Sequence, residues 1–266
     1  MKFAALITLL CFSSFSLTQT IYKNDFEQKI AIRTSELNLV DPHINVLLFD
    51  IICTDLTDQL NSQVQASLSE DANEDGYLDT NIITQFSSDQ PEYITSRTLN
   101  LSVIDGRCPA PLHSSACEIT SPPENQVATT FNQTDNCLIP IEETTSGYDP
   151  APNIANAPCY ATLPVTSSFN LAGTEISLQG FQESSRYLND LILDNGLRMG
   201  FVSEEDAENI TFPESTPIVG GQTLASLLPG GMGNCSTNDD RDLYTDGITS
   251  GWWFYFNTRS EIIELQ

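Results

Sequence analysis

The run Gly251-Trp252-Trp253-Phe254-Tyr255-Phe256-Asn257 decides the fold class of this chain. Its aromatic residues occupy odd and even positions alike, so an extended backbone places bulky apolar groups on both faces. Such a strand belongs in the middle of a sheet covered on both sides, since an apolar edge would invite pairing with other chains. A second expectation leaves one face of this strand open, its aromatics stacking on a glycan or on a cell-surface protein.

Working outward, apolar residues alternate at Leu197, Met199 and Phe201, at Ile176 and Leu178, at Ala161, Leu163 and Val165, and at Leu99, Leu101 and Val103. Val127 to Phe131 is a further short strand. Gly, Pro, Asn and Ser separate these segments at irregular intervals. The pattern predicts a mainly β protein, an antiparallel sandwich or jelly-roll-like domain with an N-terminal helical segment. Residues 1–18 read as a signal peptide, 19–85 as the N-terminal segment and 86–266 as a disulfide-braced β domain.

Helical signals are few. Leu56, Leu60, Val64 and Leu68 recur every four residues between polar neighbours, which predicts an amphipathic helix entered at Thr54 or Asp55. Asp41-Pro42 has the form of a helix start. Ile44 to Cys53 is apolar almost throughout and predicts a buried segment, helix or strand. Ser203-Glu204-Glu205-Asp206 places an N-cap serine before first-turn acids, so a short helix should run to about Asn209. Another short helix is expected at Thr223 to Leu228, before Pro229-Gly230-Gly231.

Lys2, the apolar stretch Phe3 to Phe12 and the small-polar stretch Ser14 to Thr20 have the order of a secretory leader. The apolar stretch is too short to span a bilayer, and no later one approaches that length. Of the seven cysteines, Cys11 lies in the leader, leaving Cys53, Cys108, Cys117, Cys137, Cys159 and Cys235. No pair has C-x-x-C spacing, and an even count in an exported chain favours disulfides. Local closure suggests Cys108–Cys117 and Cys137–Cys159, with Cys53–Cys235 as a long-range tie.

The formal charge of −26 argues against nucleic acid and anionic membranes as partners, because such a surface repels phosphate. It favours divalent cations. The most specific chemical pattern is Asp71-Ala72-Asn73-Glu74-Asp75-Gly76-Tyr77-Leu78-Asp79. Asp71, Asn73 and Asp75 alternate as oxygen donors, Gly76 sits where a calcium loop turns sharply, Tyr77 offers its carbonyl and Asp79 follows. This stretch resembles an EF-hand loop or its bacterial dockerin-like relatives. That resemblance implies Ca2+ held by Asp71, Asn73, Asp75, Tyr77 and Asp79. It departs from the pattern at Ile82, where such loops carry an acid, so the expected site is weak and structural. The alternative is an Asn/Asp/Gly turn without metal. A second acidic stretch, Asn238-Asp239-Asp240-Arg241-Asp242, reads as a solvated loop.

The remaining constellations are sparse. His43 and His113 lie in no nucleophile or metal motif, no Gly-rich phosphate loop is present, and no local feature selects a carboxylate pair from the many acids. Sequons occur at Asn100, Asn132, Asn209 and Asn234. The segments Phe201-Val202-Ser203-Glu204-Glu205-Asp206-Ala207, Pro217-Ile218-Val219-Gly220-Gly221-Gln222, Leu227-Leu228-Pro229-Gly230-Gly231, Asp239-Asp240-Arg241-Asp242 and Gly251-Trp252-Trp253-Phe254-Tyr255 together resemble a group of uncharacterised secreted proteins of Gram-negative bacteria. The resemblance implies export and no particular activity. The sequence thus predicts an exported non-enzymatic protein with a weak calcium loop. An adhesive module and a secreted carboxylate-dependent hydrolase are the alternatives.

Overall fold

The longest ladders of the protein meet at the aromatic strand. The computed structural model describes residues 31–49, 51–87, 100–111, 117–121, 124–171, 173–189 and 192–266. The leader, Cys11 and His113 lie outside the described residues. In chain order the strands are β1 (Ala31–Asp41), β2 (Asn45–Leu48), β3 (Ile52–Asp55), β4 (Ile83–Phe86), β5 (Asn100–Ile104), β6 (Gly106–Arg107), β7 (Glu118–Ile119), β8 (Glu124–Asn132), β9 (Cys159–Thr162), β10 (Val165–Leu171), β11 (Thr174–Asn189), β12 (Ile192–Ser203), β13 (Asp242–Leu243) and β14 (Ser250–Ile263). Helix α1 spans Thr57–Ser69 and α2 spans Glu204–Asn209, with a 3₁₀ turn at Ala225–Leu227.

The mainly β, antiparallel expectation is met, and the pairing order adds closure. From β1 the ladder runs through β4, β5, β8, β9, β11, β12 and β14, and β14 pairs back onto β1. Every one of these pairings is antiparallel. A ring of this size encloses an interior that side chains nearly fill, and it removes the edges that an apolar strand would otherwise expose. β1, within the segment 19–85, pairs with β14 from Ala31↔Ile263 to Asp41↔Tyr255.

β14 is buried on both faces. Trp252 and Phe254 join Val202, Leu178 and Ile176 in a core that the β10–β11 hairpin and the segment around the 3₁₀ turn cover. Trp253 and Tyr255 face the opposite way, onto Phe201, Met199, Leu197 and the loop residues Leu138 and Ile141. Inside the ring, Ile32, Phe86, Leu101, Tyr160 and Leu193 form a third cluster. The hairpin reaches across because Gly180, at φ +60°, interrupts the regular extended course of β11, and because Gly200 leaves room. A Cβ there would lie 2.8 Å from Leu178 Cβ.

Disulfides join Cys53 to Cys235, Cys108 to Cys117 and Cys137 to Cys159, the pairing that local closure suggested. Two sequence expectations are corrected. Asp41-Pro42 starts no helix; Asp41 ends β1, and its carboxylate accepts from Ser146 instead of capping a helix. Ile44 to Cys53 is not a buried segment throughout. It forms the β2–β3 hairpin, with Val46 buried but Phe49 87% and Ile51 81% exposed. The turn of the hairpin projects from the sheet, while Val46 and Leu48 meet the core and the Cys53–Cys235 bridge ties the second strand down one rung from the Leu48–Ile52 pair. α1 begins at Thr57, two residues beyond Asp55, whose Oδ1 accepts from Thr57 N.

Candidate functional site

The loop at residues 71–79 folds around its own carboxylates. Asp71 Oδ1 accepts from Asp75 N at 2.9 Å and its Oδ2 from Gly76 N at 2.7 Å. Asn73 Oδ1 also accepts from Asp75 N, Asp75 Oδ1 accepts from Tyr77 N, and Asp79 Oδ2 accepts from Ala72 N. Gly76 takes φ +89°, the left-handed turn its position called for. Among the described residues no group of three or more Asp, Glu, His or Cys side chains is placed to hold a metal ion. The loop is also tied to the barrel by protein atoms. Leu78 is buried beside Cys108 and Cys117, Leu78 N donates to Cys108 O, Ala110 N donates to Gly76 O, and the Arg107 guanidinium lies over the Tyr77 ring.

The adhesive reading of the aromatic strand loses its carriers. Trp252 is 0% and Trp253 3% exposed, and each indole N–H donates to a backbone carbonyl, of Pro229 and Leu243 respectively. Both rings are core.

The second acidic stretch is not a solvated loop throughout. Asp240 is 8% exposed and accepts a 2.7 Å hydrogen bond from Tyr148 Oη. Asp41, 2% exposed, accepts from Ser146 N at 2.6 Å and from Ser146 Oγ at 3.2 Å. Tyr148 stacks on His43 at 3.5 Å, and His43 Nδ1 meets the Asp55 carboxylate. Burial, with Asp240 and Asp242 nearby, pushes the Asp41 carboxyl up to about 7. Burial and the neighbouring Asp240 and Asp239 push Asp242 up to about 6, and burial raises Asp240 as well. Perturbed carboxyls can mark catalytic sites. Here Asp41 and Asp240 are closed off, and their oxygens are occupied in fastening the 137–159 loop to the end of β1 and to the 238–242 segment.

The feature that sequence reasoning missed is a cavity of about 750 Å³ at the mouth of the ring. One wall is Leu101, Val103 and Asp105 at β5, Ser121, and Val127 on β8. Facing it are Val165 and Ser167 on β10, and Glu175, Ser177 and Phe181 on β11. Leu101 pairs with Phe86 and with Val127, and Tyr160 of β9 pairs with Phe131 of β8, so the apolar wall is continuous with the barrel interior.

At the cavity's inner end lies Glu183, 6% exposed. Its Oε2 accepts from Arg198 Nε at 2.9 Å and its Oε1 from Tyr160 Oη at 3.0 Å, while Arg198 Nη2 donates to Thr34 Oγ1 at 2.9 Å. Burial first, then the Glu183 charge, holds the Tyr160 phenol well above its ordinary range. A buried ion pair is tolerated when its remaining hydrogen-bonding positions are filled, and this one is braced by four strands. Across the ladder from Val103, fully buried Thr84 has a hydroxyl without a hydrogen-bond partner. The sequence carried a faint signal of this arrangement. Glu183 lies between Gln182 and Ser184 and Arg198 between Leu197 and Met199; the β11–β12 hairpin register sets the two opposite each other, and ring closure adds Thr34 of β1.

Compared with family models, curated proteins and solved structures, the chain matches none. Geometry alone therefore carries the functional reading.

Proposed function

We propose that this is an exported, disulfide-braced barrel protein that binds a small molecule at the mouth of its ring and performs no chemistry on it. The carrying observation is the cavity of about 750 Å³ lined by Leu101, Val103, Val127, Phe181 and Glu183. Its size lies within the range of small-molecule sites, and barrel mouths are among the places where such sites occur. Apolar walls supply area, while hydroxyls and carboxyls orient a ligand. Export is supported by the leader-like first eighteen residues and by the three disulfides, which form and persist in oxidising compartments. No described helix is long and apolar enough to cross a membrane.

The test is a small-molecule screen by thermal shift on the wild type and on Val127→Trp, whose indole would intrude from the β8 wall and obstruct the cavity. A ligand at a hundred times its Kd should stabilise the wild type by about 2.7 kcal/mol and stabilise the obstructed variant much less. Ligands that stabilise both equally would place binding elsewhere and refute the proposal.

A second, compatible reading keeps calcium at the loop 71–79. It is favoured by the gathering of Asp71, Asn73, Asp75 and Asp79 on a single turn closed by Gly76. Millimolar calcium should raise the thermal midpoint, EDTA should reverse the rise, and Asp71→Ala with Asp75→Ala should abolish it. A wild-type midpoint indifferent to calcium leaves the loop as a hydrogen-bonded turn.

A further inference from the structure

We infer that the ligand of the mouth cavity is a small organic cation, an amine or quaternary ammonium carried on a short apolar body. The inference rests on the small-molecule reading above and names the class of ligand. Its basis is the charge of the walls. Asp105 stands on the β5 side, Glu175 on the β11 side and Glu183 at the inner end, and among the described residues no Lys, Arg or His lines the cavity.

The three acids are not equivalent. The Glu183 charge is matched by Arg198 at 2.9 Å and hydrogen-bonded by Tyr160, so it closes the inner end without needing a ligand. Asp105 and Glu175 have only neutral donors among their described partners. Ser121 Oγ donates to Asp105 Oδ2 at 2.9 Å, and Ser168 Oγ donates to Glu175 Oε1 at 2.7 Å. The other described arginines are engaged elsewhere. Arg33 bonds Asn81, Arg107 pairs with Glu118, Arg186 with Asp194, Arg241 with Asp239 and Glu204, and Arg259 with Glu36. The cleft thus holds two carboxylates on opposing walls, and no cation among the described residues pairs with either of them.

An anionic ligand would bring its charge between like charges, with no positively charged donor among the described lining residues to meet it. A neutral ligand would use the apolar walls and leave the two acids uncompensated. A cation uses both: its charge sits between Asp105 and Glu175, and its apolar body lies along Leu101, Val103, Val127 and Phe181. The formal charge of −26 acts in the same direction over longer range, because an acidic surface raises the local concentration of cations at the cleft.

The probes are hexyltrimethylammonium, 1-hexanol and hexanoate, titrated calorimetrically at low ionic strength into the whole protein. The expected result is affinity for the ammonium at least tenfold above that for the alcohol, weakening as salt rises, with hexanoate weakest. Asp105→Asn with Glu175→Gln should remove the preference for the ammonium and leave the alcohol unchanged. Both residues are exposed and both replacements keep an acceptor oxygen, and an unaltered thermal midpoint would confirm that the variant folds. Equal affinity for ammonium and alcohol, both lost in Val127→Trp, would overturn the cation inference while sustaining the cavity. Preference for hexanoate, or retention of the ammonium preference in the double variant, overturns it directly. If none of the three binds, the inference falls, and the cavity is judged by the wider screen.

Discussion

Raising the pH from 5 to 8 should destabilise this protein, and Asp41→Asn should remove much of the effect. Asp41 is 2% exposed, and burial together with Asp240 and Asp242 lifts its carboxyl from the ordinary 3.8 to about 7. The folded state therefore binds this proton more tightly than the unfolded chain does. Between about pH 4 and pH 7 the native state holds more protons, so stability falls as pH rises through that window and levels off above it. At about 1.4 kcal/mol per tenfold change in proton affinity, the rise corresponds to about 4 kcal/mol across the window. Asp240 and Asp242 move in the same direction through their own burial and their neighbouring carboxylates, so Asp41→Asn leaves their share of the slope in place. The assay is urea unfolding at closely spaced pH values for wild type and variant. The informative quantity is the difference in slope, since loss of a hydrogen bond to Ser146 would lower the variant's curve uniformly. Parallel curves would refute the reasoning and show that Asp41 stays ionised in its pocket.

Three further outcomes follow from the packing. Removing one member of the buried pair, as in Arg198→Met, should cost about 3–5 kcal/mol in urea unfolding, whereas Arg198→Met with Glu183→Leu should recover most of it; a double variant no more stable than the single would count against an uncompensated charge as the cause. Cys53→Ala with Cys235→Ala opens a tie across 182 residues of sequence, and the unfolding free energy should fall by about 2–5 kcal/mol. The exposed hairpin tip at Phe49 and Ile51 should then become the first site of limited proteolysis. Gly200→Val pushes a side chain into Leu178, where even a Cβ has only 2.8 Å, so stability should drop by about 1–3 kcal/mol and the apolar probes of the cavity should bind more weakly, because the β10–β11 hairpin forms one of its walls. Gly200→Val with unchanged stability would mean that the hairpin is not held against β12.

Several elements were legible because their causes are local. Leu197, Met199 and Phe201 marked β12 by alternation, and Trp252 to Asn257 marked a strand buried on both faces by the absence of alternation. Ser203 announced α2 through its side chain, which accepts from Asp206 N at 3.0 Å. The cysteine spacings indicated the pairing that formed. Where the sequence misled, the deciding partner was remote. Ile44 to Cys53 has the composition of a core segment, but hydrophobicity does not say whether a hairpin has neighbours. Asp41-Pro42 has the letters of a helix start, but Ser146, far along the chain, claims the carboxylate. Asp240 sits in an acidic stretch that looks solvated, and Tyr148 with the 137–159 loop buries it.

The same division applies to the candidate site. Composition by itself determined an acidic, disulfide-bonded, β-rich chain, since charge, cysteine parity and residue alternation are properties of a sequence before it folds. It also picked out the loop at Asp71 to Asp79, whose chemistry is contained in neighbouring residues. The closure of β14 onto β1, the cavity between β5 and the β10–β11 hairpin, and the meeting of the Glu183–Arg198 hairpin pair with Tyr160 and Thr34 belong to the tertiary structure alone. Each depends on which strands pair and in what register, and pairing energies between distant segments leave no mark on local spacing.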